Sequence, residues 1–127
     1  MDKDLAELGM KQRRATLGDA YVDRAMNNVD DFNRGFQDLL NTYCWGAVWG
    51  DETLDLKTRS MINLGLIAGV NRMEEWELHL RGAINNGVSK DEVRAILHQI
   101  AVYAGMPAGV ECFRIARRVF SEIEGKP

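Results

Sequence analysis

Three residues of one predicted helix have the types and spacing of an acid–base site. Arg72, Glu75 and His79 follow one another at intervals of three and four residues, which places side chains above one another on one face of an α-helix. A cation, a carboxylate and an imidazole that meet one small ligand can hold an anion and move a proton. The alternative is an exposed Arg72–Glu75 ion pair beside a structural histidine.

Helix boundaries recur along the whole chain, and the alternating patterns of strands do not. The chain is therefore predicted to be all-α, a bundle of about six helices in a single domain, residues 1–127. Asp55 and the Ser89–Glu92 capping box predict helix starts, Gly87 and Gly105 predict helix ends, and Pro107 fits a first turn. We expect the main helices to cover residues 5–15, about 32–49, 56–69, 72–86, 89–104 and 107–124, with a short helical segment near 21–26.

Apolar spacing indicates how three of these helices pack. The helix over 56–69 is apolar almost all round after Ser60, which predicts a central position with Arg59 at the rim of the core. The helix that begins near residue 32 has one apolar stripe, made of Phe32, Phe36, Leu39, Leu40 and Tyr43. The last helix is predicted to face inward through Phe113, Ala116, Phe120 and Ile123.

Composition excludes several classes of function. The chain has 127 residues, 46% of them hydrophobic and 28% charged, with a net charge of -3 and no basic run. No nucleic-acid partner is expected, and the patch Lys11-Gln-Arg-Arg14 is interpreted as a solvated helix face. The longest apolar stretch, residues 61–70, is about half of the ~20 residues needed to cross a bilayer. Without a membrane segment or the apolar run of a signal peptide, a cytoplasmic location is predicted.

The two cysteines do not form a recognisable site. Cys44 and Cys112 stand far apart, outside any Cys-x-x-Cys or Cys/His cluster, so neither a redox dithiol nor a structural zinc site is predicted. Both are interpreted as buried free thiols, and no metal site is expected.

Ordered motifs between Arg13 and Val119 give the chain a family resemblance. They are Leu17-Gly-Asp19 with Val22-Asp-Arg24, Trp45-Gly-x-x-Trp49, Thr58-Arg-Ser60, Arg72-x-x-Glu75-x-x-x-His79-x-Arg81, Asn85-Asn-Gly87, Asp91-Glu92 and Tyr103-Ala-Gly-x-Pro-Ala108. In this order and spacing the chain resembles the carboxymuconolactone decarboxylase family, within the group that includes the alkylhydroperoxidase D proteins. The peroxidase branch of that group has a Cys-x-x-Cys pair at the positions of Arg72 and Glu75, so a thiol peroxidase is not expected here.

The resemblance implies a reaction and an assembly. The expected reaction is decarboxylation, without a cofactor, of gamma-carboxymuconolactone, a small anionic lactone, to the enol-lactone of 3-oxoadipate during breakdown of aromatic acids such as protocatechuate. The expected assembly is a ring-like homo-oligomer, a hexamer or trimer of dimers.

The resemblance also suggests catalytic roles. His79 is the expected proton donor, Glu75 orients or charges its imidazole, and Arg72 neutralises the enolate charge that develops as carbon dioxide leaves.

Four further residues are expected to bind substrate. Arg59 would hold the second carboxylate, with its role exchangeable with that of Arg72, and Trp45 and Trp49 would wall the pocket. Tyr103 is a further candidate contact. The alternatives are a buried interface role for Arg59 and a role of the tryptophans in the core or in subunit contacts.

Two departures from the family pattern leave other functions open. Ala47 and Ala95 stand where the family carries glutamates, and His98 lies one position from the family's usual histidine or glutamine, which aligns with Gln99. His98 is therefore interpreted as structural. The loss of two acids favours, as alternatives, a paralogous enzyme that acts on another lactone or small acid, or a noncatalytic oligomeric binding protein.

Overall fold

A computed structural model describes residues 2–125, and all regular secondary structure in that range is helical. In chain order, the elements are α1 Lys3–Leu17, α2 Asp19–Asn27, α3 Arg34–Leu39, a π-helix Leu40–Val48, α4 Leu56–Gly69, α5 Met73–Asn85, α6 Lys90–Tyr103 and α7 Met106–Glu124. The all-α prediction is confirmed. Residues 2–125 form seven α-helices and a π-helix where about six main helices and a short segment were expected, because the helix predicted over residues 32–49 changes type midway.

The described chain forms two compact units that meet between Arg59 and Ser60, within α4. The first unit holds α1, α2, α3 and the π-helix, and the second holds most of α4 together with α5, α6 and α7. The assignment of one domain to the whole chain stays a prediction.

Side-chain caps begin two helices where the sequence predicts them. The Asp55 carboxylate accepts a hydrogen bond from the backbone N–H of Thr58 at 2.8 Å. Ser89 and Glu92 form a reciprocal capping box at the start of α6, with bonds of 3.0 and 2.9 Å. Each cap satisfies backbone donors that the first helical turn leaves without a partner.

Left-handed backbone conformations make the sharp turns between the later helices. Gly87 after α5 has φ 94°, and Gly105 before α7 has φ 118°, with Pro107 in the first turn of α7 as expected. The α4–α5 turn instead uses Asn71 at φ 59°. Asparagine tolerates this region better than most residues, but glycine carries the stronger sequence signal, and this turn was not predicted.

The π-helix arises where α1 approaches it backbone to backbone. A Cβ atom at Gly9 would lie 1.7 Å from the Asn41 carbonyl oxygen, and one at Gly46 would lie 2.4 Å from the Leu5 carbonyl oxygen. The wider turn closes with bonds such as the Trp49 N–H donating to the Cys44 carbonyl oxygen, five residues earlier, at 3.0 Å. The spacing of hydrophobic residues in the sequence does not predict this change from an α-helix to a π-helix.

The core of the second unit centres on Trp76, which is fully buried and donates its indole N–H to the Leu64 carbonyl oxygen at 2.9 Å. Around it pack buried residues of α4, α5, α6 and α7, among them Ala68, Leu80, Ala83, Val93, Leu97, Ile100, Cys112 and Val119. The central position predicted for α4 is correct for one face alone. Ile62, Leu66 and Val70 on its other face are exposed.

The inward face of α7 agrees with the predicted one at Ala116 and Phe120, which pack in or against the core, and differs at the other two positions. Cys112, Ala116 and Val119 are buried, whereas Phe113 is 36% exposed and Ile123 54% exposed. Gly109 explains the rotation, because a Cβ there would come within 2.7 Å of the Ala101 Cβ on α6. Because of this close approach, Cys112 and Ala116, three and seven positions after Gly109, face the core.

None of the described helices combines the length and the hydropathy that a membrane span needs.

Gly9→Ala tests the contact between α1 and the π-helix. The added methyl group meets backbone that cannot move aside, so we expect a loss of about 3 kcal/mol in the free energy of unfolding. Gly35→Ala is the matched control, since nothing lies within 4 Å of a Cβ at that position in α3, and it should be neutral or stabilising by up to about 1 kcal/mol. Urea denaturation of both variants measures the difference, and equal stabilities would contradict the close packing.

Candidate active site

An ion-pair network ties α5 to α7. Glu77 on α5 pairs with Arg118 at 2.6 Å and with Arg81 at 3.1 Å, and Arg81 also pairs with Glu122 at 2.6 Å. The Arg118 guanidinium, with Arg81, lowers the pKa of the Glu77 carboxyl group. Since the network is partly exposed, it adds modestly to stability and mainly orients α5, which carries the predicted acid–base residues.

His79 lies in the middle of α5 and is withdrawn from water over most of its surface. Burial lowers the pKa of its imidazole below the ordinary value, because removing a cation from water is unfavourable. At neutral pH the ring is therefore neutral, with one N–H donor and one lone pair for proton transfer.

Arg72 and Glu75 lie at the exposed start of the same helix. Arg72 precedes the first turn of α5, and its guanidinium makes one long hydrogen bond, 3.4 Å, to the Val70 carbonyl oxygen. Glu75 lies in the first turn, where a carboxylate interacts favourably with the helix dipole. Within residues 2–125 no ion pair joins the two side chains, so the alternative of a structural Arg72–Glu75 pair is wrong. Both charged groups remain accessible to a ligand.

Arg59, on the first turn of α4, has a nearly buried side chain, 13% exposed. It donates to the Asp51 carbonyl oxygen at 2.9 Å, and the nearest Asp51 carboxylate oxygen is 4.0 Å away. Its buried Nε–H has no acceptor among the described residues. The Asp51 carboxylate accepts instead from the backbone N–H and hydroxyl of Thr53, which lowers the pKa of Asp51. The Arg59 guanidinium thus has N–H groups left to donate to another hydrogen-bond acceptor.

Trp45 and Trp49 form a buried aromatic pair on the π-helix and its final turn. The ring centroids are 4.5 Å apart at an interplanar angle of 31°, and the residues are 4% and 5% exposed. Their predicted role as a pocket wall stays a prediction.

The remaining predicted positions lie at the surface of the chain. Tyr103, the last residue of α6, is 85% exposed. Ala47 and Ala95, where the family's glutamates would stand, are both exposed, and so is His98, whose ring lies 6.1 Å from that of Phe113. The predicted residues thus divide between the units, with Trp45, Trp49 and Arg59 in the first and Arg72, Glu75, His79 and Tyr103 in the second.

Arg13 is the polar residue that sequence reasoning missed, because the patch that contains it was interpreted as a solvated face. It is 4% exposed and donates to the side-chain oxygens of Gln37 and Asn41, each at 2.9 Å. Burial lowers the pKa of the Arg13 guanidinium. Gln37 and Asn41, four residues apart among apolar neighbours, are the signal that could have revealed this contact.

The cysteines fit the prediction of free thiols. Burial raises the pKa of the Cys112 thiol to about 11 and also raises that of Cys44, so both are protonated at neutral pH. In the described part of the chain, no three His, Cys, Asp or Glu side chains are placed to hold a metal ion.

Comparison with known proteins places this all-helical chain among the carboxy-lyases. The model of the carboxymuconolactone decarboxylase family matches residues 34–118. A 4-carboxymuconolactone decarboxylase of Acinetobacter baylyi is 34% identical over 122 residues, 96% of this chain and 91% of the relative. A nitrosuccinic acid decarboxylase of Metarhizium robertsii is 38% identical over 126 residues, 99% of this chain and 88% of the relative. The chain belongs to the carboxymuconolactone decarboxylase family.

The protonation of His79 can be measured directly. We expect its ring protons to titrate by NMR with a midpoint below the ordinary histidine value of about 6.5, and His98→Gln assigns the signal by leaving one histidine. The folded state favours neutral His79, so its contribution to stability is complete above pH ~6.5 and is lost as the pH falls toward the folded-state pKa. The stability difference between the wild type and His79→Gln should shrink over that range. A midpoint above 6.5 would contradict the burial of the ring.

Proposed function

We propose that the chain decarboxylates, without a cofactor, a small dicarboxylate that carries its own electron sink, with gamma-carboxymuconolactone as the first candidate. The observation that supports this most directly is that two relatives aligned with 96% and 99% of the chain are both named as decarboxylases of such acids.

The two named substrates share one arrangement around the reacting carbon. In carboxymuconolactone, that carbon carries the departing carboxylate, a carboxymethyl arm and an unsaturated lactone. In nitrosuccinic acid, it carries a carboxylate, a carboxymethyl arm and a nitro group. In each case the electron pair left by carbon dioxide can move onto an oxygen atom, of the lactone carbonyl or of the nitro group. The proposed substrate class is therefore a succinate unit with such a sink on the reacting carbon.

Catalysis of this step requires charge stabilisation and one proton. The bond between the reacting carbon and its carboxylate breaks, carbon dioxide leaves, and the electron pair becomes an enolate or nitronate. A cationic donor stabilises the new negative charge, the role proposed for Arg72. His79 then delivers a proton to carbon, and Glu75 stabilises the charged imidazole.

Burial of His79 sets a condition on this mechanism. A neutral imidazole is a poor acid, so it must gain a proton before it can protonate carbon. A bound dianion favours the imidazolium electrostatically and offsets the desolvation that lowers the pKa in the free protein. The substrate itself would thereby charge its proton donor.

Arg59 is proposed to hold the carboxymethyl carboxylate. Its buried Nε–H without an acceptor, beside a guanidinium nitrogen committed to a backbone carbonyl oxygen, supports a role in binding a further anionic oxygen. A guanidinium can meet a carboxylate with two parallel hydrogen bonds. Trp45, Trp49 and Tyr103 keep their proposed places as substrate contacts.

Nitrosuccinic acid is the second candidate. It is favoured by the 38% identity over nearly the whole chain to an enzyme named for that substrate, and by Ala47 and Ala95 in place of acids of the family pattern.

Self-assembly and a cytoplasmic location complete the proposal. Several apolar side chains that a folded monomer would be expected to bury remain exposed, including Leu66, Val70 and Val110 at 57–62%. Such patches are typical of subunit interfaces, which supports a homo-oligomer of the ring-like kind that the family resemblance implies.

Release of carbon dioxide tests the reaction and the proton donor together. The purified chain is given enzymatically prepared gamma-carboxymuconolactone and, separately, nitrosuccinate, and carbon dioxide is measured. His79→Ala should lower kcat about 100-fold or more, the usual size of a general acid effect. His98→Ala, an exposed histidine of α6, should stay near wild type. No release from either substrate by folded wild-type protein would favour a related enzyme with another substrate or a noncatalytic binding protein, and full activity of His79→Ala would exclude His79 as proton donor.

Arg59→Lys separates binding from chemistry. It keeps the positive charge but loses the planar pair of donors, so KM should rise about tenfold while kcat changes little. Arg114→Lys is the matched control, because Arg114 is an exposed arginine that pairs with Glu111 on its own helix. A fall in kcat at unchanged KM would instead assign Arg59 to the charge that develops during the reaction, the role proposed for Arg72.

A further inference from the structure

The second unit has a groove between α6 and α7. It has a volume of about 360 Å³ and an apolar floor that includes Val93, Leu97 and Phe120. A groove of this size and lining accepts an aromatic or large aliphatic side chain. None of the residues to which the reaction is assigned lines it.

The rim of this groove is positively charged. Lys90, Arg94 and Arg117 contribute three cations, against one carboxylate, Glu124. Lys90 pairs with Glu124 at 2.9 Å and lies 5.4 Å from the centre of the Phe120 ring, and Arg94 pairs with Asp91. Arg117 is exposed and has no ion pair within the described residues. The rim therefore suits an apolar partner that brings acidic groups.

The first unit presents a surface with the complementary properties. Phe32 is 98% exposed, and Phe36, Leu39 and Tyr43 continue from it as an apolar stripe, at 61%, 44% and 59%. The sequence pattern identified this stripe, but the chain does not bury it. When a partner covers an aromatic ring that lies almost wholly in water, the free energy of the system falls.

Acidic residues surround this stripe. Between residues 30 and 38 the chain carries Asp30, Asp31 and Asp38 and one cation, Arg34, a net charge of −2. The four charged residues of the groove rim sum to +2. The two surfaces are thus complementary both in charge and in their apolar centres.

We propose that the stripe of one copy, led by Phe32, docks into the α6–α7 groove of a second copy. The two surfaces are different patches of the chain, so the contact is head-to-tail and can close into a ring. Asp30 and Asp31 would face the arginines of the groove rim, and Phe32 would cover its floor. This docking rests on the self-assembly proposed above and is independent of the reaction.

Two variants, each defective in one surface, test the docking. Phe32→Ser removes the leading ring, and Arg117→Glu reverses a charge at the groove. Each alone should have a lower mass by light scattering than the wild type at equal concentration, with a dissociation constant raised at least about tenfold. Arg114→Glu, an exposed arginine one turn away that does not line the groove, should keep the wild-type mass. Circular dichroism checks that all variants are folded.

Mixing the two variants gives the decisive outcome. Phe32→Ser retains an intact groove and Arg117→Glu an intact stripe, so an equimolar mixture should form a species larger than either variant alone, at least twice the chain mass of 14.3 kDa. No gain in mass on mixing, or wild-type mass in both single variants, overturns the docking while self-assembly stands. A wild-type chain that remains at 14.3 kDa overturns both. Carbon dioxide release by the same samples reports separately on the reaction.

Discussion

The backbone contact between α1 and the π-helix is the constraint on which the first unit depends. Gly9 and Gly46 allow an approach that any side chain would block, and Arg13 on α1 donates hydrogen bonds to Gln37 on α3 and to Asn41 on the π-helix. The cation is buried against neutral amides, an arrangement that persists only when its hydrogen bonds are well made. Trp45 packs against Trp49 on the π-helix that this contact holds in place, and the chain then continues to Arg59.

In the second unit, the important feature is how far the predicted acid–base side chains are exposed to water. Trp76 and the Glu77–Arg118 pair hold α5, and His79 follows two residues after Glu77 with its ring largely removed from water. Arg72 and Glu75, on the same helix, remain in solvent. The α5 helix and the residue before it therefore carry a neutral imidazole and two accessible charges, and in the proposed mechanism a bound anionic ligand changes the protonation of the imidazole. In the proposed decarboxylation the proton is needed only after carbon dioxide has left. A histidine that becomes charged when the substrate binds is therefore ready for that later step.

The apolar surface connects the fold to assembly. The Phe32 stripe and the outer face of α4 show the periodicity of buried helices, yet both are exposed in the single chain. Hydrophobic spacing identifies a face that avoids water, but it does not state whether the same chain or another copy covers that face. The acidic charge around Phe32 and the basic rim of the groove between α6 and α7 favour another copy as the partner, and this charge complementarity is not visible in the pattern of either segment alone.

The sequence by itself determined the helical class, most helix boundaries and the family. Caps such as Ser89–Glu92 and turns such as Gly87 act over a few residues, and local chemistry is enough to specify them. Helical periodicity, which is also local, predicts that Arg72, Glu75 and His79 share one face, and this alignment stays a prediction, since α5 begins only at Met73. Only the tertiary structure decided that His79 is largely withdrawn from water while Arg72 and Glu75 are exposed, that Arg13 lies inside, and that residues 40–48 wind as a π-helix. Those properties depend on contacts between segments distant in the chain, such as Gly9 with Asn41, and no spacing within one segment encodes them.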